Sequence, residues 1–188
     1  MLKNLLKVLF LNIKIMNSYK EVEGCLIEKS LNGEFDVIAH GCNCFYLQKA
    51  GIAAQMSKTF NTLDFLLENV ALRGSINKLG QIDYEQVLLT SDNNILLEKN
   101  YDVPALKINW GFPPLTVVNA YTQYQPGKNL DYEALTLCMR KINHIFKGKH
   151  IGLPQIGAGI AGGDWNRIKT IIQQELKDCD VTVVIYNK

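Results

Sequence analysis

The sequence predicts an α/β layered fold built as one domain. Three observations carry that prediction. Short runs rich in β-branched and aromatic residues alternate with segments of helical periodicity. Two of the runs, Val37-Ile38-Ala39 and residues 181–186, are almost continuously apolar, as strands covered on both faces are. The chain has 188 residues, enough for one full-sized domain, and is 47% hydrophobic and 20% charged, as ordinary soluble globular proteins are.

Strands are predicted over residues 19–27, 35–40, 86–90, 95–98, 115–121, 150–154 and 181–186. A helix over 50–60 places Ala53, Met56 and Phe60 on one face, and a short second helix follows over 64–72. A helix over 131–147 aligns Leu135, Met139, Ile142 and Phe146, with Gly148 as its C′ glycine. The last helix, over 164–177, aligns Ile168, Ile172 and Leu176, with Asp164 as N-cap. Residues 86–110 read as a hairpin that runs into a long loop with Asp102-Val103-Pro104 and Gly111-Phe112-Pro113-Pro114.

Residues 1–15 are basic and apolar and are set apart as an N-terminal extension; the domain is assigned to 16–188. A secretory signal is the competing reading of that extension. Lys7, Asn12 and Lys14 interrupt the apolar run, no small-x-small cleavage site follows, and the run is too short to span a membrane. The net charge is +2 with no Lys/Arg block, so no stable nucleic-acid partner and no membrane partner is expected. The five cysteines, Cys25, Cys42, Cys44, Cys138 and Cys179, are odd in number and irregularly spaced. That argues against a secreted disulfide framework and for reduced thiols in a cytoplasm. A monomer is expected.

Residues 151–165 read Ile-Gly-Leu-Pro-Gln-Ile-Gly-Ala-Gly-Ile-Ala-Gly-Gly-Asp-Trp. A strand ends there in a loop with Gly157, Gly159, Gly162 and Gly163, and a helix opens just beyond it. Close backbone approach and a helix N-terminus make such a junction a phosphate cradle. Gly157-Ala158-Gly159-Ile160-Ala161-Gly162 also matches the dinucleotide pattern G-x-G-x-x-G. A Rossmann half needs further strand–helix units and an acidic residue after the next strand; here Asp178 and Asp180 precede the last strand. A tight connection without a ligand is the bland alternative, although four glycines in seven residues exceed what a turn needs.

A second junction is Ala39-His40-Gly41-Cys42-Asn43-Cys44, followed by Ala50-Gly51-Ile52-Ala53 at a helix start. Ligands of open α/β sheets sit at the carboxyl ends of strands, so His40 and Asn43 are placed beside the glycine loop. His40 reads either as a catalytic residue or as a hydrogen-bonded structural one. His40-x-Cys42-x-Cys44 departs from standard zinc spacing, and no second Cys/His pair accompanies it, so no metal is assigned. A reactive thiol at Cys42 or Cys44 has no activator except His40.

With those residues in place, residues 19–187 resemble a macrodomain, the ADP-ribose-binding fold. Val22-Glu23-Gly24-Cys25-Leu26 resembles its first ligand segment, and residues 36–43 resemble the strand leading to its distal-ribose loop. Gly51-Ile52-Ala53 resembles its glycine-rich helix start, and residues 153–165 resemble the loop that wraps the diphosphate. Within the family the likeness is to the ADP-ribose 1″-phosphate phosphatase branch, whose members also occur in bacteriophages. His40-Gly-Cys-Asn-Cys44, Gly51-Ile-Ala53 and Leu153-Pro-Gln-Ile156 with Gly159-Ile160 and Trp165 carry it.

The resemblance implies a three-layer α/β/α fold around a central mixed, mostly parallel sheet. It implies hydrolysis of the phosphate of ADP-ribose 1″-phosphate, without a metal or other cofactor. His40 would act as nucleophile or as general acid/base, and Asn43 would hold the distal ribose or position water. The implied ligand residues are Gly24, Cys25, Leu26, Gly41, Cys42, Asn43, Lys49, Ala50, Gly51, Ile52, Ala53, Ile156, Gly157, Ala158, Gly159, Ile160 and Ala161. Three departures stand out. Cys25 replaces the usual adenine-recognising Asp. Lys49-Ala50 replaces two glycines, and the Lys49 ammonium is read as solvated. The lysine and aspartate of the branch that releases ADP-ribose from glutamate have no counterpart near Ala120–Tyr121 or at Ala161. The alternatives are a non-catalytic ADP-ribose reader and a hydrolase acting on ADP-ribosylated protein or nucleic acid. A phage-encoded protein would work in the host cytoplasm.

Overall fold

The computed structural model describes residues 18–62, 73–89, 95–97 and 114–186. The N-terminal extension, the helix expected over 64–72 and the long loop before Pro114 lie outside them.

The elements are β1 (Tyr19–Glu23), α1 (Leu26–Leu31), β2 (Val37–Asn43), α2 (Gly51–Phe60), a 3₁₀ turn (Ile76–Lys78), β3 (Ile82–Leu89), β4 (Ile95–Leu97), β5 (Leu115–Gln123), α3 (Tyr132–Ile145), β6 (His150–Pro154), α4 (Trp165–Glu175) and β7 (Asp180–Ile185). They form one seven-stranded sheet in the order β1-β7-β6-β2-β5-β3-β4. β1, β7, β6, β2 and β5 run parallel, and β3 joins β5 and β4 antiparallel. The sheet is therefore mixed and mostly parallel.

Side-chain alternation divides the core between the two faces. On one face Val37, Ala39, Val118, Ala120, Ile151, Leu153, Val181 and Val183 pack against α3 and α4. On the other, Ile38, Leu115, Val117 and Val184 pack against Leu26 and Ile27 of α1 and Met56 and Phe60 of α2. This is the three-layer α/β/α arrangement. The stripe Leu135, Met139 and Ile142 on α3 is fully buried, which contributes roughly 1.5–3 kcal/mol per side chain. Asp131 and Asp164 accept hydrogen bonds from Ala134 N and Arg167 N and so cap α3 and α4. No helix among the described residues is long and apolar enough to cross a membrane.

Several boundaries differ from the sequence expectation. The strand expected over 19–27 stops at Glu23, and Leu26–Leu31 is a helix. Gly24 at φ +142° turns the chain, and Lys29 N donates to Cys25 O to open the first helical turn. Leu26, Ile27 and Ser30 are the buried helical face, a stripe too short to tell from strand alternation. β3 starts at Ile82, four residues before the expected strand, because pairing with β5 outweighs the low strand propensity of Asp83 and Glu85. Gly148 lies one residue beyond C′, since Phe146 is the C-cap of α3. The largest consequence follows from β2. It does not end at His40 but runs through His40-Gly-Cys-Asn43, paired with β5 in register up to Cys42 and, after a shift, at Asn43.

Candidate functional site

β6, β2 and β5 are neighbours, although the chain reaches β5 from β2 on one side and then crosses over to β6 on the other. Such a reversal opens a crevice at the carboxyl ends of the strands. A cleft of about 410 Å³ lies there. Asn43, Leu47 and Lys49 to Ala53 form one wall, Gln155 to Gly157 with Gly159 to Ala161 the other, and the end of β5 with Pro126 and Gly127 completes it.

The first wall is the start of α2. Ala50 is its N-cap and supplies no side-chain acceptor, and the first turn carries no acidic residue. Ala54 N is the first amide satisfied within the helix, donating to Ala50 O. Among the described residues, the amides of Gly51, Ile52 and Ala53 therefore have no acceptor, at the positive end of the helix dipole. Gly51 takes φ +59°, which suits a residue without a Cβ.

The second wall is the glycine loop. Three hydrogen bonds close it: Gly163 N to Gly157 O at 2.9 Å, Gly162 N to Gly159 O at 3.0 Å, and Leu130 N to Ala161 O at 3.2 Å. Among the described residues, the amides of Gly157, Gly159, Ile160 and Ala161 donate to no protein acceptor. Ile160 reaches across the cleft, since a Cβ added at Gly51 would lie 3.3 Å from its Cδ1. Among the described residues, no carboxylate lines the cleft, and Lys49 is the charged residue of its lining. Chemically, such an arrangement of amides can receive an anion with several oxygens.

Of the residues expected from the sequence, Gly41, Asn43, Lys49, Ala50, Gly51, Ile52, Ala53, Ile156, Gly157, Gly159, Ile160 and Ala161 come together around this cleft. Gly24, Cys25, Leu26, Cys42, Ala158 and His40 are not in its lining. Asn43 lines the cleft, but its carboxamide shapes the following loop. Its Oδ1 accepts from Phe45 N and Leu47 N, and its Nδ2 donates to Leu47 O. Leu47, Thr122, Gln123, Pro126, Gly127 and Gln155 line the cleft without having been singled out. The rule that places ligands at strand ends, applied to the strand after Leu115, was the available signal for Thr122 and Gln123.

His40 occupies a different environment. It sits mid-strand, 0% exposed, opposite Asn119. Its Nε2 lies 2.6 Å from Asn119 Oδ1. Because Asn119 Nδ2 donates to Thr62 O at 3.0 Å, the histidine Nε2–H is the donor in that contact. Gln48 Nε2 reaches Cys42 Sγ at 3.4 Å and Asn119 Oδ1 at 3.5 Å, and Thr62 Oγ1 donates to Gln48 Oε1 at 2.5 Å. Burial pushes the His40 ring down to about 4, against a smaller opposing effect of the Asn119 bond. The ring is neutral at pH 7 and ties β2 to Asn119 of β5. Burial also raises the Cys42 thiol far above its usual range, which leaves it protonated. Among the described residues, no group of three or more His, Cys, Asp or Glu is placed to hold a metal.

No family model matches the chain. It is 32% identical over 173 residues to the uncharacterized 17.5 kDa protein of the tk-vs intergenic region of Enterobacteria phage T4, an alignment covering 88% of this chain and 94% of that protein. Among solved structures it is similar to the macrodomain of Thermus aquaticus DarG, with TM-score 0.60 and 20% identity over 92% of this chain and 99% of that one. It is also similar to Thermosipho africanus DarTG, solved in complex with ADP-ribose, with TM-score 0.64 and 15% identity over 93% of this chain and 42% of that one. The chain has the macrodomain fold and belongs to the family of the 17.5 kDa phage T4 protein.

Proposed function

We propose that the cleft binds ADP-ribose or a derivative of it. One observation carries the reading: among the described residues, two sets of unpaired main-chain donors line a single cleft that no carboxylate lines. The amides of Gly157, Gly159, Ile160 and Ala161 would hold the diphosphate, and Gly51, Ile52 and Ala53 the distal ribose and any group on it. Gly41 leaves the floor open, and Ile156 and Ile160 supply apolar contact. The structural neighbour solved with ADP-ribose supports the same ligand.

The second reading is hydrolysis of ADP-ribose 1″-phosphate. The separate donor set at the start of α2, beside Lys49, favours it, because that set offers a place for one further phosphate. Water would attack the phosphorus, and the bond to the ribose oxygen would break. Positioning and main-chain charge stabilisation would carry the step, since the buried His40 ring is not in the cleft lining.

Calorimetry and phosphate release test both readings together. ADP-ribose is expected to bind at one saturable site, with ADP about tenfold or more weaker. Equal affinity for ADP and ADP-ribose, or no binding of either, contradicts the ligand assignment. Inorganic phosphate released from the 1″-phosphate supports the second reading. Tight binding of the 1″-phosphate without release makes the protein a reader.

A further inference from the structure

At the end of β5 the ladder is irregular. Cys42 pairs with Tyr121 and Asn43 pairs with Gln123, so Thr122 is an extra residue with no partner on β2. A bulge of this kind is rare between parallel strands, and bulges re-aim a side chain, often next to a functional site. Thr122 is 0% exposed. Its carbonyl accepts from Asp131 N at 2.9 Å, but among the described residues its Oγ1 has no hydrogen-bond partner. The other such atom, Tyr46 Oη, belongs to a residue outside the cleft lining.

Gly41 stands against Thr122. A Cβ added there would lie 3.0 Å from Thr122 Oγ1 and 3.4 Å from Ile156 Cγ1. Gly41, Thr122 and Ile156 all line the cleft. A side chain at residue 41 would therefore crowd the hydroxyl. A buried hydroxyl without a partner destabilises the free protein, and it is expected where a ligand or ordered water completes it.

We propose that Thr122 is a ligand-positioning residue at the floor of the cleft, its hydroxyl donating to an oxygen of the bound phosphate ester. The inference rests on the ADP-ribose reading and adds one side-chain donor to the main-chain donors of the two walls. The main chain binds any polyanion of the right spacing. A single fixed hydroxyl sets how deep the ligand sits and which oxygen faces β5.

The test compares wild type, Thr122→Val and Thr122→Ser by ADP-ribose calorimetry, with thermal unfolding of each ligand-free protein. Thr122→Val keeps the shape and removes the donor, so affinity falls about tenfold while the melting temperature stays level or rises. Thr122→Ser keeps the donor and stays within about threefold of wild type. Wild-type binding that Thr122→Val leaves unchanged overturns the role of Thr122 alone. Equal losses in the two variants overturn it too, since they point to the shared change in packing. A wild type that binds no ADP-ribose overturns the ligand reading and this inference with it.

Discussion

Urea unfolding of the wild type, followed from about pH 7 down to about pH 4, shows a stability loss of roughly 3 kcal/mol that a variant without the His40 ring does not show. The folded protein holds His40 at about 4, below its ordinary 6.5, chiefly because the ring is buried. The unfolded chain takes up a proton below 6.5 that the folded chain refuses until about 4. Stability from this group is fully present above the unfolded value and is lost as pH falls through that window. Glu21 and Asp178 are held below the usual carboxylate range by hydrogen bonds from Lys169 and Asn143, so they add acid sensitivity of their own. The difference between wild type and His40→Asn isolates the histidine. At neutral pH the same variant is less stable by about 2–3 kcal/mol, because the lost ring leaves a cavity and disturbs the partners of Asn119. Parallel pH profiles for the two proteins contradict this account of His40.

Gly163→Ala is expected to distort the glycine loop. A Cβ at residue 163 would lie 2.3 Å from Leu130 Cδ2, 2.8 Å from Ile168 Cδ1 and 3.0 Å from Gly157 O. Leu130 has some freedom to rotate, but the carbonyl of Gly157 is backbone and also accepts the Gly163 amide at 2.9 Å. Overpacking of this kind costs about 2 kcal/mol, or roughly 4–8 °C in Tm for a chain of this size. Relief of the clash moves Gly157 and Leu130 and with them the free amides of the second wall. ADP-ribose affinity then falls about tenfold or more at a temperature where circular dichroism shows the variant folded. Unchanged affinity in the folded variant contradicts the role given to the loop.

The glycine loop and the start of α2 were legible because their chemistry is local. Glycines between a strand and a helix announce a close backbone approach whatever lies elsewhere in the chain. The partner of His40 was not legible. Asn119 lies 79 residues away in sequence, and nothing in His-Gly-Cys-Asn announces that the strand continues to Asn43. That extension moves His40 from the end of a strand to the middle of a sheet, and so from the cleft to the core. Thr122 was hidden for a related reason. A bulge is a property of two paired strands, and nothing in the sequence of β5, expected as a strand over 115–121, marks Thr122 as an extra residue. Leu26 and Ile27 were read as the end of a strand, and the helix Leu26–Leu31 was missed, because six residues carry less than two helical turns of pattern.

The most direct test of the central claim is a ¹H–¹⁵N NMR titration of the wild type with ADP-ribose. The account predicts saturating shifts concentrated on the amides of Gly51, Ile52, Ala53, Gly157, Gly159, Ile160 and Ala161, the donors left unpaired in the two walls of the cleft. Saturating shifts that leave these seven amides in place and gather elsewhere, or no shifts at all, would contradict it.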